Sequence, residues 1–140
     1  KYGSLPYWSH PLMVAERGKE IFGSKFDDDA YIVALLHDTL EDTDLTREHL
    51  IDLGHSKENV DAVELLTKLK GMTYEANIQR IISSRNKTAM MVKFSDNFIN
   101  YTGDKTGWDA KKAAKSNEKY LKSMKALGKV LEVDPETHLK

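Results

Sequence analysis

Between Pro11 and Pro135 the chain contains no proline, and Pro6 is the only other one. Proline is the residue that most firmly breaks a helix, because it lacks a backbone donor and clashes with the preceding turn. Nearly the whole chain is therefore free to be helical. Its apolar residues recur at the three- and four-residue spacing of a helix face, and no stretch shows the sustained alternation of a half-buried strand. The pattern predicts an all-α fold, a helical bundle of about six or seven helices.

The segments can be placed from their start and stop signals. Pro11 suits a first helical position, followed by Leu12, Met13, Ala15, Ile21 and Phe22, with Gly23 as the stop. Asp27 to Asp29 open a second helix with acids, where the helix dipole favours them. That helix is apolar almost all round from Ala30 to Leu36 and is expected to be the central buried one. Thr46 can cap a short helix ending at Gly54, and Ser56 another that carries Val60, Val63, Leu65, Leu66 and Leu69. After Gly71, Tyr74, Ile78, Ile81 and Ile82 recur at helical spacing, and Ala89 to Phe94 continue the same way up to Ser95-Asp96-Asn97. A loop with Gly103 and Gly107 precedes a long final helix at about 108–131, with a short tail after it. One domain over residues 1–140 is expected, long enough to bury roughly 70% of the surface of the unfolded chain.

Composition narrows the function. The chain has no cysteine, which excludes disulfides, thiolate metal sites and a cysteine nucleophile. Its 21 basic and 22 acidic residues give a net charge of -1, which argues against a general binder of DNA or RNA. No apolar run approaches the ~20 residues of a membrane span, and no signal peptide opens the sequence. A soluble, cytoplasmic protein is expected, since a small disulfide-free domain sits most easily in a reducing compartment.

Chemistry concentrates at few places. His37-Asp38-Thr39-Leu40-Glu41-Asp42 sets four ionisable groups at the end of the most apolar helix. On a continuing helix His37 and Glu41 share one side, as do Asp38 and Asp42. Such a cluster next to a core costs desolvation unless a divalent cation compensates it, and imidazole and carboxylate are both suitable ligands. The alternative is a hydrated helix end whose acids face solvent. His10, just before Pro11, can point into the bundle as a ligand or be satisfied by one hydrogen bond. Asp96 follows an apolar run, with Asn100 four residues on, and the pair fits either a metal site or a buried ion pair with a helix-capping amide.

The order His10, His37-Asp38, Asp96 resembles the H…HD…D pattern of the HD-domain phosphohydrolases. Within that superfamily, Leu35-Leu36-His37-Asp38-Thr39-Leu40-Glu41-Asp42-Thr43 is similar to the HDxxED signature of RelA/SpoT-type (p)ppGpp hydrolases. Pro6-Tyr7-Trp8-Ser9-His10-Pro11 resembles their PYxxHP opening, Leu66-Thr67-Lys68-Leu69 their VTKL segment, and Val92 to Asn100 their KLADRLHN stretch. Asn117-Glu118-Lys119-Tyr120-Leu121 is similar to their ETxxIYxPLA helix. The resemblance implies an HD-domain bundle, a small stand-alone alarmone hydrolase of the stringent response. It implies Mn²⁺-dependent removal of pyrophosphate from the 3′ position of ppGpp or pppGpp. His10, His37, Asp38 and Asp96 would be metal ligands, Glu41 and Asp42 would orient and deprotonate water, and Asn100 would contact the nucleoside. Lys1 and Tyr120 would lie on the substrate side, and Lys68 and Lys93, each in a family-like segment, would either help hold phosphate or simply stand at the surface.

Departures fall on that side. The family's Arg after the last metal Asp is Asn97 here, the His before the final Asn is Ile99, and Lys1 stands where an Arg is usual. A lysine cannot stack on a base as an arginine does. Hydrolysis of another nucleotide, and a silent module that binds a nucleotide or a partner, are the alternative functions. Lys111, Lys115, Lys119, Lys122 and Lys129 recur along the final helix, either as a solvated face or as an attraction for an anionic nucleotide. Tyr120 fits either core packing or substrate contact. His49, His55 and His138 are expected at the surface.

Overall fold

The computed structural model describes residues 9–103 and 105–138. Lys1 and the Pro6-Tyr7-Trp8 part of the opening motif lie outside them. The described residues contain α1 (Ser9–Phe22), a 3-10 turn (Gly23–Lys25), α2 (Asp28–Leu36), α3 (Thr39–Asp42), α4 (Arg47–Asp52) and α5 (Lys57–Leu66). They continue with α6 (Tyr74–Ser84), α7 (Lys87–Thr102), α8 (Ala110–Leu131) and α9 (Pro135–His138), and include no strand. The fold is all-α. Since α3 and α9 are single turns, seven longer helices remain, as the periodicity predicts. No helix among the described residues is long and apolar enough to cross a membrane.

Side-chain caps set most helix starts. Asp27 accepts from the Ala30 amide at 2.9 Å, Ser56 from Asn59 at 3.2 Å, Thr73 from Ala76 at 3.0 Å and Asn86 from Ala89 at 3.0 Å. Each cap satisfies a donor that the helix itself leaves open, typically at about 1 kcal/mol. The exposed His49 completes a reciprocal cap, its Nδ1 accepting from the Thr46 amide at 3.0 Å while its own amide donates to the Thr46 hydroxyl at 3.3 Å.

Four expectations need correction. The most enclosed helix is α7, not α2: α1, α2, α5, α6 and α8 all pack around α7, whereas α2 leaves Leu35 39% exposed. Burial on all sides is decided by neighbours, and α2 lacks them on its outer face. Second, α2 does not run on through His37 and Asp38. The chain turns there and restarts as α3, so the i, i+4 register assumed for His37 and Glu41 is broken, whereas that of Asp38 and Asp42 holds, the Asp42 amide donating to the Asp38 carbonyl at 2.9 Å. Third, α5 stops at Leu66, which leaves Leu69 exposed. Thr67 is extended, and the Arg80 guanidinium donates to the carbonyls of Leu65 at 3.4 Å and Thr67 at 3.2 Å, replacing the next helical turn. Fourth, the apolar run from Tyr74 onward is two helices, divided where Arg85 adopts a left-handed conformation (φ 60°) and Asn86 caps α7.

Two contacts fix α1 against its neighbours and thereby position its first turn. The buried Ser95 hydroxyl of α7 donates to the Val14 carbonyl of α1 at 2.6 Å. Gly18 lies so close under the Phe26 ring that a Cβ there would come within 2.4 Å of it. Phe22 in turn meets the edge of Phe94 on α7, with ring centroids 5.6 Å apart.

Candidate active site

His10, His37, Asp38 and Asp96 converge against the middle of α7. His10 belongs to the first turn of α1, His37 closes α2, Asp38 lies in the turn that follows, and Asp96 sits within α7. His10 Nε2 is 2.8 Å from Asp96 Oδ1, and both side chains are buried. His37 Nε2 lies 3.2 Å from Asp38 Oδ2 and 3.6 Å from Asp96 Oδ1. One donor atom from each of His10, His37 and Asp38 falls within 4.8 Å of the other two. Lys93 and Asn100 flank Asp96 on the same face of α7, at 3.3 Å from its Oδ2 and Oδ1 respectively.

The His37 ring shows what the cluster is arranged for. Its Nδ1 donates to the Ala34 carbonyl at 2.5 Å, which directs Nε2 toward the two carboxylates. Nε2 is fully buried and has no well-aligned hydrogen bond, only the two carboxylates at ion-pair distance. A buried imidazole nitrogen turned toward two carboxylates and a second histidine is a metal-ligand arrangement, oriented through the opposite ring nitrogen. The donor set of nitrogen and carboxylate oxygen suits a divalent cation.

The electrostatics follow from the same crowding. Burial opposes charge on Asp96, but the Lys93 ammonium and the two imidazoles hold its carboxyl well below the usual range. Burial pushes Asp38 up, against the pull of His37. Burial works against a charged His37, yet Asp96 and Asp38 overcome it and raise the imidazole to about 9. With its pKa raised above the ordinary 6.5, charged His37 stabilises the metal-free fold fully below about pH 6.5, and this contribution is lost as pH rises through about 9. The proton thus stands in for the cation. A metal held by His37 would have to displace it, so apparent metal affinity should climb with pH by up to about tenfold per unit and level off near pH 9. Calorimetry in buffers of differing ionisation heat should record the released proton. An affinity that is flat between pH 6.5 and 9 would exclude a protonated His37 as ligand.

The remaining expected residues are less uniformly placed. Glu41 and Asp42 are exposed, and Glu41 Oε1 accepts from the Lys68 amide at 2.6 Å, tying the single-turn α3 to the loop after α5. Asp42 is near enough to Asp38 to raise its carboxyl. The Lys68 ammonium donates to the Met72 carbonyl at 2.8 Å, within its own loop. Tyr120 is half-buried and packs edge-on against Tyr74, with centroids 6.1 Å apart.

Comparison with known proteins sets this cluster in a family. The model of the HD domain matches residues 7–129, which include all four converging residues. The chain belongs to the HD-domain family. Among curated relatives of this HD-domain chain, the guanosine-3′,5′-bis(diphosphate) 3′-pyrophosphohydrolase of Aquifex aeolicus is 34% identical over 109 residues, covering 74% of this chain and 15% of that protein. The GTP pyrophosphokinase rsh of Brucella abortus is 35% identical over 104 residues, covering 68% and 13%. The chain thus spans only about one seventh of the length of these relatives. A solved structure of a metazoan ortholog of SpoT, reported to hydrolyse ppGpp and to play a role in starvation responses, superposes with a TM-score of 0.63 at 21% identity. It covers 85% of this chain and 71% of that one, and shares the fold.

Sequence reasoning missed part of what surrounds the HD-domain cluster. Tyr74, read there only as an apolar position of a helix, donates its hydroxyl to Asn97 Oδ1. Its ring lies under two ammoniums, those of Lys93 at 5.0 Å and Lys119 at 4.7 Å from the centroid. Burial and the negative charge of Asp96 both raise the Tyr74 phenol, keeping it a donor. The only local signal was the Asn where an Arg was expected.

Proposed function

We propose that this chain is a metal-dependent phosphohydrolase that releases pyrophosphate from the 3′ position of ppGpp or pppGpp, leaving GDP or GTP. The observation that carries the reading is the buried His37 Nε2 facing His10, Asp38 and Asp96, in a chain whose relatives include guanosine-3′,5′-bis(diphosphate) 3′-pyrophosphohydrolases. His10, His37, Asp38 and Asp96 would hold the ion, with Mn²⁺ the proposed metal. A bound cation supplies a lowered pKa for water and offsets charge on the phosphoryl oxygens.

The chain's own residues divide the remaining work. Glu41 and Asp42 accept the proton of the attacking water, as carboxylates at the edge of the cluster can. The water oxygen bonds to phosphorus, the bond from phosphorus to O3′ breaks, and O3′ takes up the proton that the carboxylates removed from the water. Glu41 is positioned by the Lys68 amide, which leaves its second oxygen for water. Lys93 brings positive charge beside Asp96, where phosphate oxygens would arrive, and Asn100 presents an amide to the nucleoside. We place this reaction in the cytoplasm, on a free nucleotide rather than on DNA or RNA.

Metal-stripped protein incubated with ppGpp should be inert, and adding Mn²⁺ should yield GDP and pyrophosphate in equal amounts, resolved by ion-exchange chromatography. Absence of turnover in protein shown to contain Mn²⁺ would refute the substrate. Hydrolysis of a different nucleotide phosphate is the second reading. It is favoured by Asn97, which is buried and bonded to Tyr74 where the resembling family has an Arg.

A further inference from the structure

A groove of about 800 Å³ runs between the start of α6 and the first half of α8. Thr73, Tyr74 and Glu75 form one wall, and Lys112, Lys115, Lys119 and Lys122 project from the other. Two acids also line the groove, Glu118 on α8 itself and Glu75 on the opposite wall, and Glu75 is already engaged by Lys122 at 3.5 Å. Lys115 makes no ion pair among the described residues. The groove therefore carries a surplus of positive charge, with an aromatic floor at Tyr74.

Tyr74 is also where the groove meets the metal cluster. Lys119 Nζ lies 4.7 Å from its ring centroid and 4.8 Å from that of Tyr120. Lys93 Nζ lies 5.0 Å from the Tyr74 centroid and 3.3 Å from Asp96 Oδ2. One ring thus gathers an ammonium of the groove and an ammonium of the cluster. The ring cannot turn away, because its hydroxyl is bonded to the buried Asn97 and its face meets the edge contact of Tyr120. Two like charges held around one ring repel each other, and an anion lying across them removes that cost.

We propose that this groove binds the second, uncleaved phosphate-bearing end of the substrate, and that Lys119 makes the protein select nucleotides that carry one. The proposal rests on the phosphohydrolase reading for the end that is cut. It assigns to α8 a specificity for polyphosphate charge rather than for a base.

Lys119→Met keeps the aliphatic stem on the tyrosines and removes the charge; Lys129→Met, on the same helix but not lining the groove, is the control. Whole chain, stripped of metal so that the cluster cannot itself capture phosphate, is titrated with inorganic tripolyphosphate. Binding should weaken about tenfold in Lys119→Met and stay unchanged in Lys129→Met. In the metal-loaded protein, KM for ppGpp should rise about tenfold with kcat within about twofold. KM for guanosine 3′-diphosphate, which lacks the 5′ phosphates, should not move. Equal tripolyphosphate binding by Lys119→Met and the parent overturns the proposal, as does a parallel shift in KM for both nucleotides. If the parent does not turn over ppGpp, the hydrolase reading fails by itself and the tripolyphosphate titration still decides the groove.

Discussion

Asp96→Asn is expected to leave a folded protein that neither holds a metal ion nor turns over substrate. The substitution preserves shape and removes one charge, at the residue that both histidines, Lys93 and Asn100 approach. His10, His37, Lys93 and Asn100 all lie within 3.6 Å of its two oxygens. An amide is a poor ligand for a divalent ion, and loss of groups that merely support a ligand already costs about 10–100-fold in affinity. Removing a proposed ligand should exceed that range, with turnover at background. The nearly buried Lys93 ammonium also loses its partner, a kind of change that costs about 3 kcal/mol or more in a protein interior. Circular dichroism would establish the fold, metal analysis the content, and product chromatography the rate. Parental metal content and rate in this variant would remove Asp96 from the site.

Gly128→Ala should destabilise the fold strongly for a single added methyl group. A Cβ at Gly128 would lie 2.3 Å from the Val133 carbonyl oxygen, and 3.4 Å from both Phe94 and Pro135. The obstacle at the shortest distance is backbone, which no rotamer change can move aside. That backbone is itself held, because the Val133 amide donates to the Gly128 carbonyl at 2.9 Å and Glu132 already sits in a left-handed conformation. The substitution must therefore displace the turn that leads into α9, or tilt α8 away from Phe94. Overpacking of this kind costs about 3 kcal/mol, a large share of the roughly 5–15 kcal/mol that holds a domain folded. A fall in melting temperature of about 10 °C is expected by calorimetry. A loss under about 2 °C would mean that the α8–α9 turn is much softer than its hydrogen bonds indicate.

The two variants also separate what the sequence could show from what it could not. The histidines and aspartates were legible because their chemistry conflicts with their surroundings: charged groups interrupt apolar runs, and the family resemblance supplied their order. Helix starts were legible at Asp27, Thr46 and Ser56, where a local side chain does the capping. The division between α6 and α7 was not, since Arg85 takes a left-handed conformation that glycine or asparagine would have signalled. The enclosure of α7 was hidden for a different reason. Its mixed pattern of Lys93, Ser95, Asp96 and Asn97 reads as one-sided, and only the five surrounding helices make those polar groups interior. Glu41 was placed by an i, i+4 rule that requires an unbroken helix, and the turn at His37 and Asp38 voids it. Tyr74 and Asn97 lie 23 residues apart, so their contact shows in no local window, although Asn97 itself stood out where an Arg was expected.

The separation of His10 and Asp96 by 86 residues has a consequence for how the molecule comes into being. A chain emerging from its N-terminus carries His10, His37 and Asp38 long before Asp96 exists, and three donors on an unorganised chain make a weak trap for an ion. Only when α7 has been made and docked, through the Ser95 bond to α1, do the four groups share one space. An ion that binds this assembled form, and not its precursors, shifts the balance toward it by about 2.7 kcal/mol once the free ion exceeds its dissociation constant a hundredfold. Cellular metal supply would then govern how long each copy survives proteolysis, independently of how fast it works.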